Sequence, residues 1–243
     1  MDATAYARMA SNEATHWWFA GRRSILDTLI RRLLDGRAAP RILEVGCGSG
    51  GNLGLLACFG RLDAVEHDPA ARDLARARSG IDVRPATLPG DLPVADTAYD
   101  LVALLDVLEH VERDRDALEA IGRKLAPEGR LLITVPAMPW LWSAHDVAHH
   151  HFRRYTRTSL ARAIRAAGLE VERIGYFNAF LFPLAVAGRL AKRLCGDTTA
   201  DDRLPPGPVN AVLQAIFSAE RHLIGRLPFP GGLSVYAVVR PAG

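Results

Sequence analysis

A glycine-rich stretch near the start of the chain restricts the possible folds more than any other feature. The apolar run at 42–45 is followed at once by Gly46, Gly48, Gly50 and Gly51. Glycines at this spacing let the backbone turn sharply after a strand and approach a ligand without interference from side chains. The pattern predicts the first strand, loop and helix of a nucleotide-binding α/β domain, with a ligand above the first strand.

Two classes of ligand fit this loop. Gly46, Gly48 and Gly51 match the dinucleotide pattern G-x-G-x-x-G, which alone is weak evidence. Glu44 with Gly46, Gly48 and Gly50 spells E-x-G-x-G-x-G, which resembles motif I of the class I S-adenosylmethionine-dependent methyltransferases. A turn without a ligand needs one glycine rather than four. The loop therefore predicts a bound cofactor.

The resemblance implies a set of cofactor contacts. Gly46, Cys47, Gly48 and Gly50 would lie under the methionine part, and Glu44 would orient the loop. Related enzymes often carry an N-terminal helix over the cofactor, from which an arginine reaches the methionine carboxylate. A carboxylate at the end of the second strand accepts both ribose hydroxyls. The remaining candidates are Arg22 and Arg23 for the carboxylate, Glu66 with His67 for the ribose, Thr87 and Leu88 for the adenine, and Asp106 and Val107 after the fourth strand.

Apolar runs and helical periodicities continue the α/β pattern along the chain. We predict one Rossmann-like α/β domain over 1–243, with a mainly parallel seven-stranded sheet and an antiparallel edge strand. Beyond the first strand, strands are predicted at 62–66, 81–84, 101–105, 130–135, 169–174 and 233–239. The domain divides into an N-terminal lid helix (1–36), a cofactor-binding core (41–177), a helical insertion (178–230) with helices at 180–194 and 209–227, and a closing strand (231–243).

The segment after the fifth strand should line the acceptor pocket, because ligands in open α/β sheets lie beyond the carboxyl ends of the strands. It contains two tryptophans and an Arg-Arg-Tyr run. Neighbouring guanidinium groups beside aromatic rings suit a carboxylate or a phosphate. Together with a tryptophan ahead of the first helix, the candidate substrate-binding residues are Trp18, Trp140, Trp142, Arg153, Arg154 and Tyr155.

The histidines in this segment have three interpretations. Imidazole and carboxylate groups are ligands for a divalent metal, but three consecutive histidines cannot all face one centre in a regular element, so we predict no metal. His145, Asp146 or His150 would otherwise serve as the general base that removes the acceptor proton, and these are the candidate catalytic residues. Alternatively the residues form a hydrogen-bonded turn before the helix at Thr156. His110 is either a packed residue or a proton carrier.

Composition excludes several classes of partner and location. The 30 basic and 27 acidic residues are interspersed, so no nucleic acid is expected. The three cysteines are too widely spaced for a disulfide framework or a zinc site, which favours the cytoplasm. No signal peptide is apparent, and the apolar run at 176–188 is shorter than the roughly 20 residues that span a bilayer. Residues 178–195 are expected to form a pocket wall, a dimer contact or a peripheral membrane contact.

The predicted activity is methyl transfer from S-adenosylmethionine, which becomes S-adenosylhomocysteine. The acceptor is expected to be a small or lipid-linked molecule that can carry an anionic group, and the protein to be a monomer or a homodimer. Two alternatives remain open. One is a nicotinamide-dependent oxidoreductase that uses the same glycine loop, and the other is a cofactor-binding module without catalysis.

Overall fold

The computed structural model describes residue 13 and residues 15–90, 92–194 and 204–242. Residues 1–12 and 14 of the predicted lid, residue 91, residues 195–203 of the predicted insertion, and residue 243 lie outside the described residues. The described residues form one seven-stranded sheet with helices on both faces. The predicted fold class is confirmed.

The sheet has the strand order β3-β2-β1-β4-β5-β7-β6. The strands are β1 (Arg41–Val45), β2 (Arg61–Glu66), β3 (Val83–Pro85), β4 (Tyr99–Leu105), β5 (Leu125–Pro136), β6 (Leu169–Phe177) and β7 (Ser234–Pro241). The helices are α1 (Trp17–Leu33), α2 (Leu53–Ala57), α3 (Pro69–Ser79), α4 (Asp114–Gly122), α5 (Ala144–Ala148), α6 (Arg157–Ala166), α7 (Phe182–Leu194) and α8 (Gly207–Ala219). Short 3-10 turns occupy Leu108–His110, Pro139–Leu141 and Glu220–His222.

The central strand β4 shows why the apolar runs form buried strands. Its side chains alternate between two cores, so that Val102 and Leu104 join the cluster on one face of the sheet. Leu101, Ala103 and Leu105 join the cluster on the other face. A parallel strand covered on both faces is apolar at every position rather than at every second one.

The strand order creates a crevice at the centre of the sheet. After β1 the chain continues to β2 on one side, whereas β4 lies against the other side of β1. The connections that leave β1 and β4 therefore diverge, and ligands of open α/β sheets bind at such a switch point. The glycine loop and the turn that begins at Asp106 border this crevice.

The antiparallel strand β7 lies one place in from the edge of the sheet. Ala237 pairs with Ile133 of β5 on one side and with Ile174 of β6 on the other, antiparallel in both cases. The sequence pattern placed it at the edge, but it is buried along most of its length. The edge strand is β6, whose exposed Glu170 and Glu172 suit a strand with one open side.

The N-terminal helix α1 is fixed to the insertion helix α8. Its first backbone amide, at Trp17, donates to Asn210 Oδ1 at 2.9 Å. The Trp17 ring meets Phe217 edge to face, with 6.1 Å between ring centroids. Gly21 permits this approach, since a Cβ there would lie 2.5 Å from Phe217 Cδ1. The adjacent tryptophans thus belong to the first turn of a packed helix.

The insertion helices leave an apolar surface uncovered. Leu184 and Leu190 of α7 are 63% and 50% exposed. Val209, Val212 and Ile216 form a further exposed stripe along α8. Among the described residues, none of the helices combines the length and the apolar content that crossing a bilayer requires.

The second insertion helix is shorter than the predicted span of 209–227. It ends at Ala219 and passes into the 3-10 turn Glu220–His222. The fully buried carboxylate of Glu220 accepts hydrogen bonds from the backbone amides of Ala179 at 2.7 Å and Phe180 at 2.8 Å. The end of α8 therefore holds the residues that lead into α7.

We expect Gly21→Ala to destabilise the protein. The added Cβ collides with Phe217, and overpacking of this kind costs about 1–3 kcal/mol, more than the roughly 0.5–1 kcal/mol that alanine gains over glycine in a helix. Urea unfolding followed by circular dichroism measures the free energy. The matched control is Gly54→Ala, where a Cβ meets nothing within 4 Å. Equal stabilities of the two variants would contradict the packing described for α1 and α8.

Candidate cofactor and acceptor site

The glycine loop turns tightly over the end of β1. Gly46 donates its backbone amide to Val65 O at 2.8 Å and has a φ of 74°, which few residues other than glycine adopt. A Cβ at Gly46 would lie 2.7 Å from Val107 Cγ2, so the loop packs directly on the turn after β4. Cys47 is buried, and the loss of solvation raises the pKa of its thiol, which therefore stays protonated.

Glu66 lies at the end of β2, beside the glycine loop. Its Oε2 accepts from the Gly48 backbone amide at 2.8 Å and its Oε1 from the Asp68 amide at 2.9 Å. Each carboxylate oxygen can accept a second hydrogen bond, so two vicinal hydroxyls still find acceptors here. His67 and Thr87 approach one another, with 2.8 Å between Nδ1 and Oγ1. Ribose and adenine groups of a cofactor fit these residues.

A network of five polar residues closes the crevice at the ends of β1, β4 and β5. Arg22 Nη2 lies 2.6 Å from Asp106 Oδ2 and donates to Thr134 Oγ1 at 3.2 Å. Arg22 Nη1 donates to Asn52 Oδ1 at 3.3 Å, and Asn52 Nδ2 donates to Glu44 Oε1 at 3.1 Å. We call these residues the charged network. It joins α1, the glycine loop and the central strands.

The structure distinguishes the two candidate arginines. Arg22 is 4% exposed, carries its guanidinium 5.4 Å from the Trp18 ring centroid, and retains a buried Nε without a hydrogen-bond partner. Arg23 takes no part in the charged network. Burial lowers the pKa of Arg23, and the charge of Glu13 opposes that effect. Trp18, a predicted substrate residue, thus covers Arg22 in this structure.

Glu44 is the buried acid of the charged network. It is 1% exposed, and its Oε2 has no hydrogen-bond partner. Burial raises the pKa of Glu44 to about 8, against the opposing hydrogen bond from Asn52 and the charge of Arg22. A protonated Glu44 orients the loop through Asn52 without placing an uncompensated charge beneath it.

Glu13 contacts the outer side of the glycine loop. Its carboxylate accepts from Ser49 Oγ at 2.7 Å and from Arg78 Nη1 at 2.6 Å. A Cβ at Gly51 would lie 2.7 Å from Glu13 Cδ, so this glycine makes room for the acid. Sequence reasoning missed Glu13, because nothing in its neighbours indicates a partner 36 residues away.

Asp146 is the centre of a second polar group beyond β5. Its side chain is fully buried. Oδ1 accepts a hydrogen bond from Arg154 Nε at 2.7 Å and lies 3.0 Å from His151 Nδ1. Oδ2 accepts a hydrogen bond from the Ser143 backbone amide at 2.8 Å. Burial alone would raise the pKa of Asp146, but the hydrogen bonds from His151 and Arg154 outweigh it and hold that pKa well below its usual range. Asp146 therefore positions its neighbours.

The histidines gather around this acid. We call His110, His145, His149 and His151 the histidine cluster, and the ring centroids of His110 and His151 are 4.6 Å apart. His145 lies 4.2 Å from His149 and 6.1 Å from His151, again between centroids. Loss of solvation by burial lowers the pKa of His110 to about 4, and the charges of His151 and His149 act in the same direction. His150, a predicted base, is exposed and has a φ of 55°.

The predicted anion-binding residues already have protein partners. Arg154 is buried and donates to Asp146 and, through Nη1, to Ala137 O at 3.1 Å. Arg153 Nη1 lies 3.0 Å from Asp114 Oδ2, which also accepts from the Tyr155 hydroxyl at 2.9 Å. Burial, followed by the charge of Asp114, raises the pKa of Tyr155.

The predicted tryptophans differ in exposure. Trp140 is 51% exposed and meets Phe182 edge to face at 6.2 Å, so it connects the segment after β5 with α7. Trp142 is partly buried. Sequence reasoning missed Thr134, although a hydroxyl within the apolar run of β5 is a usable signal. It also missed Asn52 as a bridge between Glu44 and Arg22.

We expect the free energy of unfolding to fall as pH rises from 4.5 to about 8, because folded Glu44 holds its proton more tightly than unfolded Glu44 does. Stability from this group is complete below the lower value and is lost as pH passes the upper one. Glu44→Gln remains neutral and should lose less stability over that interval. Denaturant titrations at several pH values measure the difference, with Glu170→Gln, an exposed acid on β6, as the control. A Glu44→Gln effect that is constant with pH would contradict this interpretation.

Comparisons with known proteins agree with the geometry. The methyltransferase domain family matches residues 18–174, more than half of the chain. A protein of Mycolicibacterium smegmatis named "Probable S-adenosylmethionine-dependent methyltransferase" is 29% identical over 168 residues, which are 67% of this chain and 63% of that protein. A ubiquinone biosynthesis O-methyltransferase of Pseudomonas entomophila is 28% identical over 156 residues, 56% of this chain and 67% of that protein.

The fold has a solved counterpart that contains the demethylated cofactor. Geranyl diphosphate C-methyltransferase from Streptomyces coelicolor A3(2), in complex with Mg²⁺, geranyl diphosphate and S-adenosyl-L-homocysteine, gives a TM-score of 0.58 at 17% identity, covering 89% of this chain and 80% of that one. The family identifies S-adenosylmethionine as the cofactor. The family match, together with the arrangement of the glycine loop, shows that the chain belongs to the class I S-adenosylmethionine-dependent methyltransferases.

Proposed function

We propose that the protein transfers a methyl group from S-adenosylmethionine to a small or lipophilic acceptor. The observation that carries this proposal is the meeting of the glycine loop, the acid Glu66 at the end of β2, and the ion pair of Arg22 and Asp106 at one crevice of the sheet. S-adenosylmethionine supplies an electrophilic methyl group on a sulfonium when bound. The chain then has to hold donor and acceptor in line and to accept any proton that the acceptor loses.

The ion pair of Arg22 and Asp106 matches the amino acid part of the cofactor. That part carries both a carboxylate and an ammonium group, and the pair offers a cation and an anion 2.6 Å apart. The carboxylate would bind Arg22, whose Nε has no partner, and the ammonium would bind Asp106. Trp18 covers the guanidinium and shields it from water. Arg22, rather than Arg23, is therefore the proposed carboxylate ligand.

The acceptor pocket is proposed to lie between the segment after β5 and α7. Trp140 and Phe182 contribute an apolar wall there, and Phe180 meets Phe229 edge to face at 5.7 Å. Exposed aromatic and aliphatic surface of this extent is typical of a binding site. The relative named as a ubiquinone biosynthesis O-methyltransferase is consistent with a lipophilic acceptor.

Acceptor deprotonation is assigned to an imidazole of the histidine cluster. Asp146 is unsuited to take a proton near neutral pH, because Arg154 and His151 stabilise its ionised form. We assign it the role of a positioning residue. His145, one of the candidate bases, lies within the cluster and stays the proposed proton acceptor.

The anionic group of the acceptor stays a prediction. Arg153 and Arg154 would have to bind it in competition with Asp114 and Asp146, respectively. Peripheral membrane contact through 178–195 also stays a prediction, and the exposed side chains of Leu184 and Leu190 support it. Cytoplasmic location and oligomeric state also stay predictions.

We expect Glu66→Gln to weaken the binding of S-adenosylhomocysteine by about tenfold or more. The amide keeps the size of the side chain but removes the charge that strengthens hydrogen bonds to the ribose, each worth about 1.5–3 kcal/mol. Isothermal titration calorimetry measures the affinity, with Glu172→Gln, an acid on β6, as the control. Titration with nicotinamide dinucleotides on the same preparations tests the alternative activity. Tight nicotinamide binding and no S-adenosylhomocysteine binding would disprove the proposed function.

Arg22 and Arg23 form a matched pair for a second experiment. We expect Arg22→Lys to weaken S-adenosylhomocysteine binding, because a lysine cannot reproduce the planar, forked contact, whereas Arg23→Lys should leave it unchanged. The ligand 5′-methylthioadenosine, which lacks the amino acid part, should bind both variants as it binds the parent.

Two results would count against this assignment. One is a loss of affinity for both ligands in Arg22→Lys, which would mean that the residue supports the fold rather than the carboxylate. The other is a selective loss of S-adenosylhomocysteine affinity in Arg23→Lys.

A further inference from the structure

We propose that Glu109, His110 and His151 form a binding site for one divalent transition-metal ion. Glu109 and His110 belong to the 3-10 turn after β4, and His151 follows α5. Each side chain offers one ligand atom, and these atoms all lie within 4.8 Å of one another. A cation at their centre would be within reach of all three. Nothing in the methyl transfer proposed above requires such an ion.

Glu109 provides evidence for a ligand that is independent of this spacing. Its side chain is 1% exposed, and its Oε2 has no hydrogen-bond partner. A buried carboxyl oxygen without a partner is costly, and such groups in folded proteins are paired or coordinate metals. A metal ion between Glu109 and the two imidazoles would satisfy this atom.

His151 is held in the orientation that a metal ligand needs. Its Nδ1 lies 3.0 Å from Asp146 Oδ1, and Asp146 is itself fixed by Arg154 and Ser143. The carboxylate places the ring proton on Nδ1, so that Nε2 presents its lone pair. A carboxylate that fixes a histidine in this way is the usual outer shell of a zinc site.

The backbone holds the two halves of the site together. The Phe152 amide donates to Glu109 O at 2.8 Å, which connects the chain next to His151 with the turn that carries His110. The rings of His110 and His151 are nearly perpendicular, at 85°. The rings of His145 and His149 are farther from His151 than that of His110, each at 6.1 Å between centroids.

The ligand set indicates the class of metal. Two imidazole nitrogens and one carboxylate oxygen suit Zn²⁺, Co²⁺, Ni²⁺ or Fe²⁺, whereas Mg²⁺ prefers oxygen ligands alone. Three protein ligands leave a position for water or for a substrate oxygen. The sequence prediction of no metal considered the consecutive histidines as one group. In the structure only His151 of the three takes part, and the other ligands come from a different turn.

The test uses the full chain, stripped of metal with a chelator and titrated separately with Zn²⁺, Co²⁺ and Mg²⁺. Calorimetry should give one equivalent of Zn²⁺ or Co²⁺ and much weaker Mg²⁺ binding. Bound Co²⁺ should develop visible absorption bands, which report coordination by protein nitrogen and oxygen. The readout is independent of methyl transfer and of the cofactor, so its failure leaves the proposed function standing.

The variants identify the ligands. His110→Ala, His151→Ala and Glu109→Gln should each lose Zn²⁺ affinity, and Asp146→Asn should lose about 10- to 100-fold as an outer-shell residue. His222→Ala, a histidine on the 3-10 turn after α8, is the control and should bind like the parent. Circular dichroism and S-adenosylhomocysteine affinity establish that each variant is folded.

Three outcomes would overturn the proposal. The parent could fail to bind Zn²⁺ and Co²⁺, His110→Ala and His151→Ala could bind as the parent does, or His149→Ala could lose affinity while those variants keep it. The last result would place the metal on other histidines of the cluster.

Discussion

The ion pair between the buried Arg22 and the partly exposed Asp106 is the interaction on which the arrangement of the site depends. It joins the first helix to the end of the central strand β4, and Thr134 and Asn52 extend it to β5 and the glycine loop. Such a pair contributes little net stability, because the desolvation of Arg22 offsets much of the attraction, but removing Asp106 would leave the buried Arg22 charge without its ionic partner, a change that costs up to about 3–5 kcal/mol at fully buried pairs. The pair therefore fixes where α1 can lie.

The packing of α1 supports the same arrangement from the other side. Asn210 and Phe217 of the insertion hold the first turn of α1, and Gly21 allows the contact one residue before Arg22. An insertion late in the chain thus secures a helix at its start. This explains how Arg22 can be held at the crevice of the sheet although it belongs to no strand.

Sequence reasoning recovered the sheet and the cofactor loop because both follow from local patterns. Gly46 and Glu66 each follow or end an apolar strand, so that their positions can be inferred from the neighbouring residues. The apolar run of β4 indicates a strand that is buried on both faces. The sequence pattern put β7 at the edge of the sheet, which is wrong. The order of the last two strands depends on which of them has a solvated side, and only a comparison of the charged residues of β6 with the apolar run of β7 indicates that β6 is the edge strand.

The polar partners could not be predicted in the same way. The sequence predicts an anion as the ligand of Arg154 but gives no sign of the ion pair with Asp146, because the choice of a protein carboxylate depends on tertiary contacts. Glu109 could not be predicted as a buried residue, because a glutamate in a turn is ordinarily solvated, whereas here its side chain is buried. The spacing of residues along the chain carries no information about contacts between side chains that only the folded structure brings together.

The turn after β4 contributes residues to both the charged network and the histidine cluster. Within five consecutive residues, Asp106 belongs to the charged network, Val107 packs on the glycine loop, Glu109 lies beside the histidine cluster, and His110 is part of that cluster. Any movement of this turn would displace the charged network and the histidine cluster together. The relative position of these two groups is consequently set by five consecutive residues, so that a substitution within this turn would alter both groups at once.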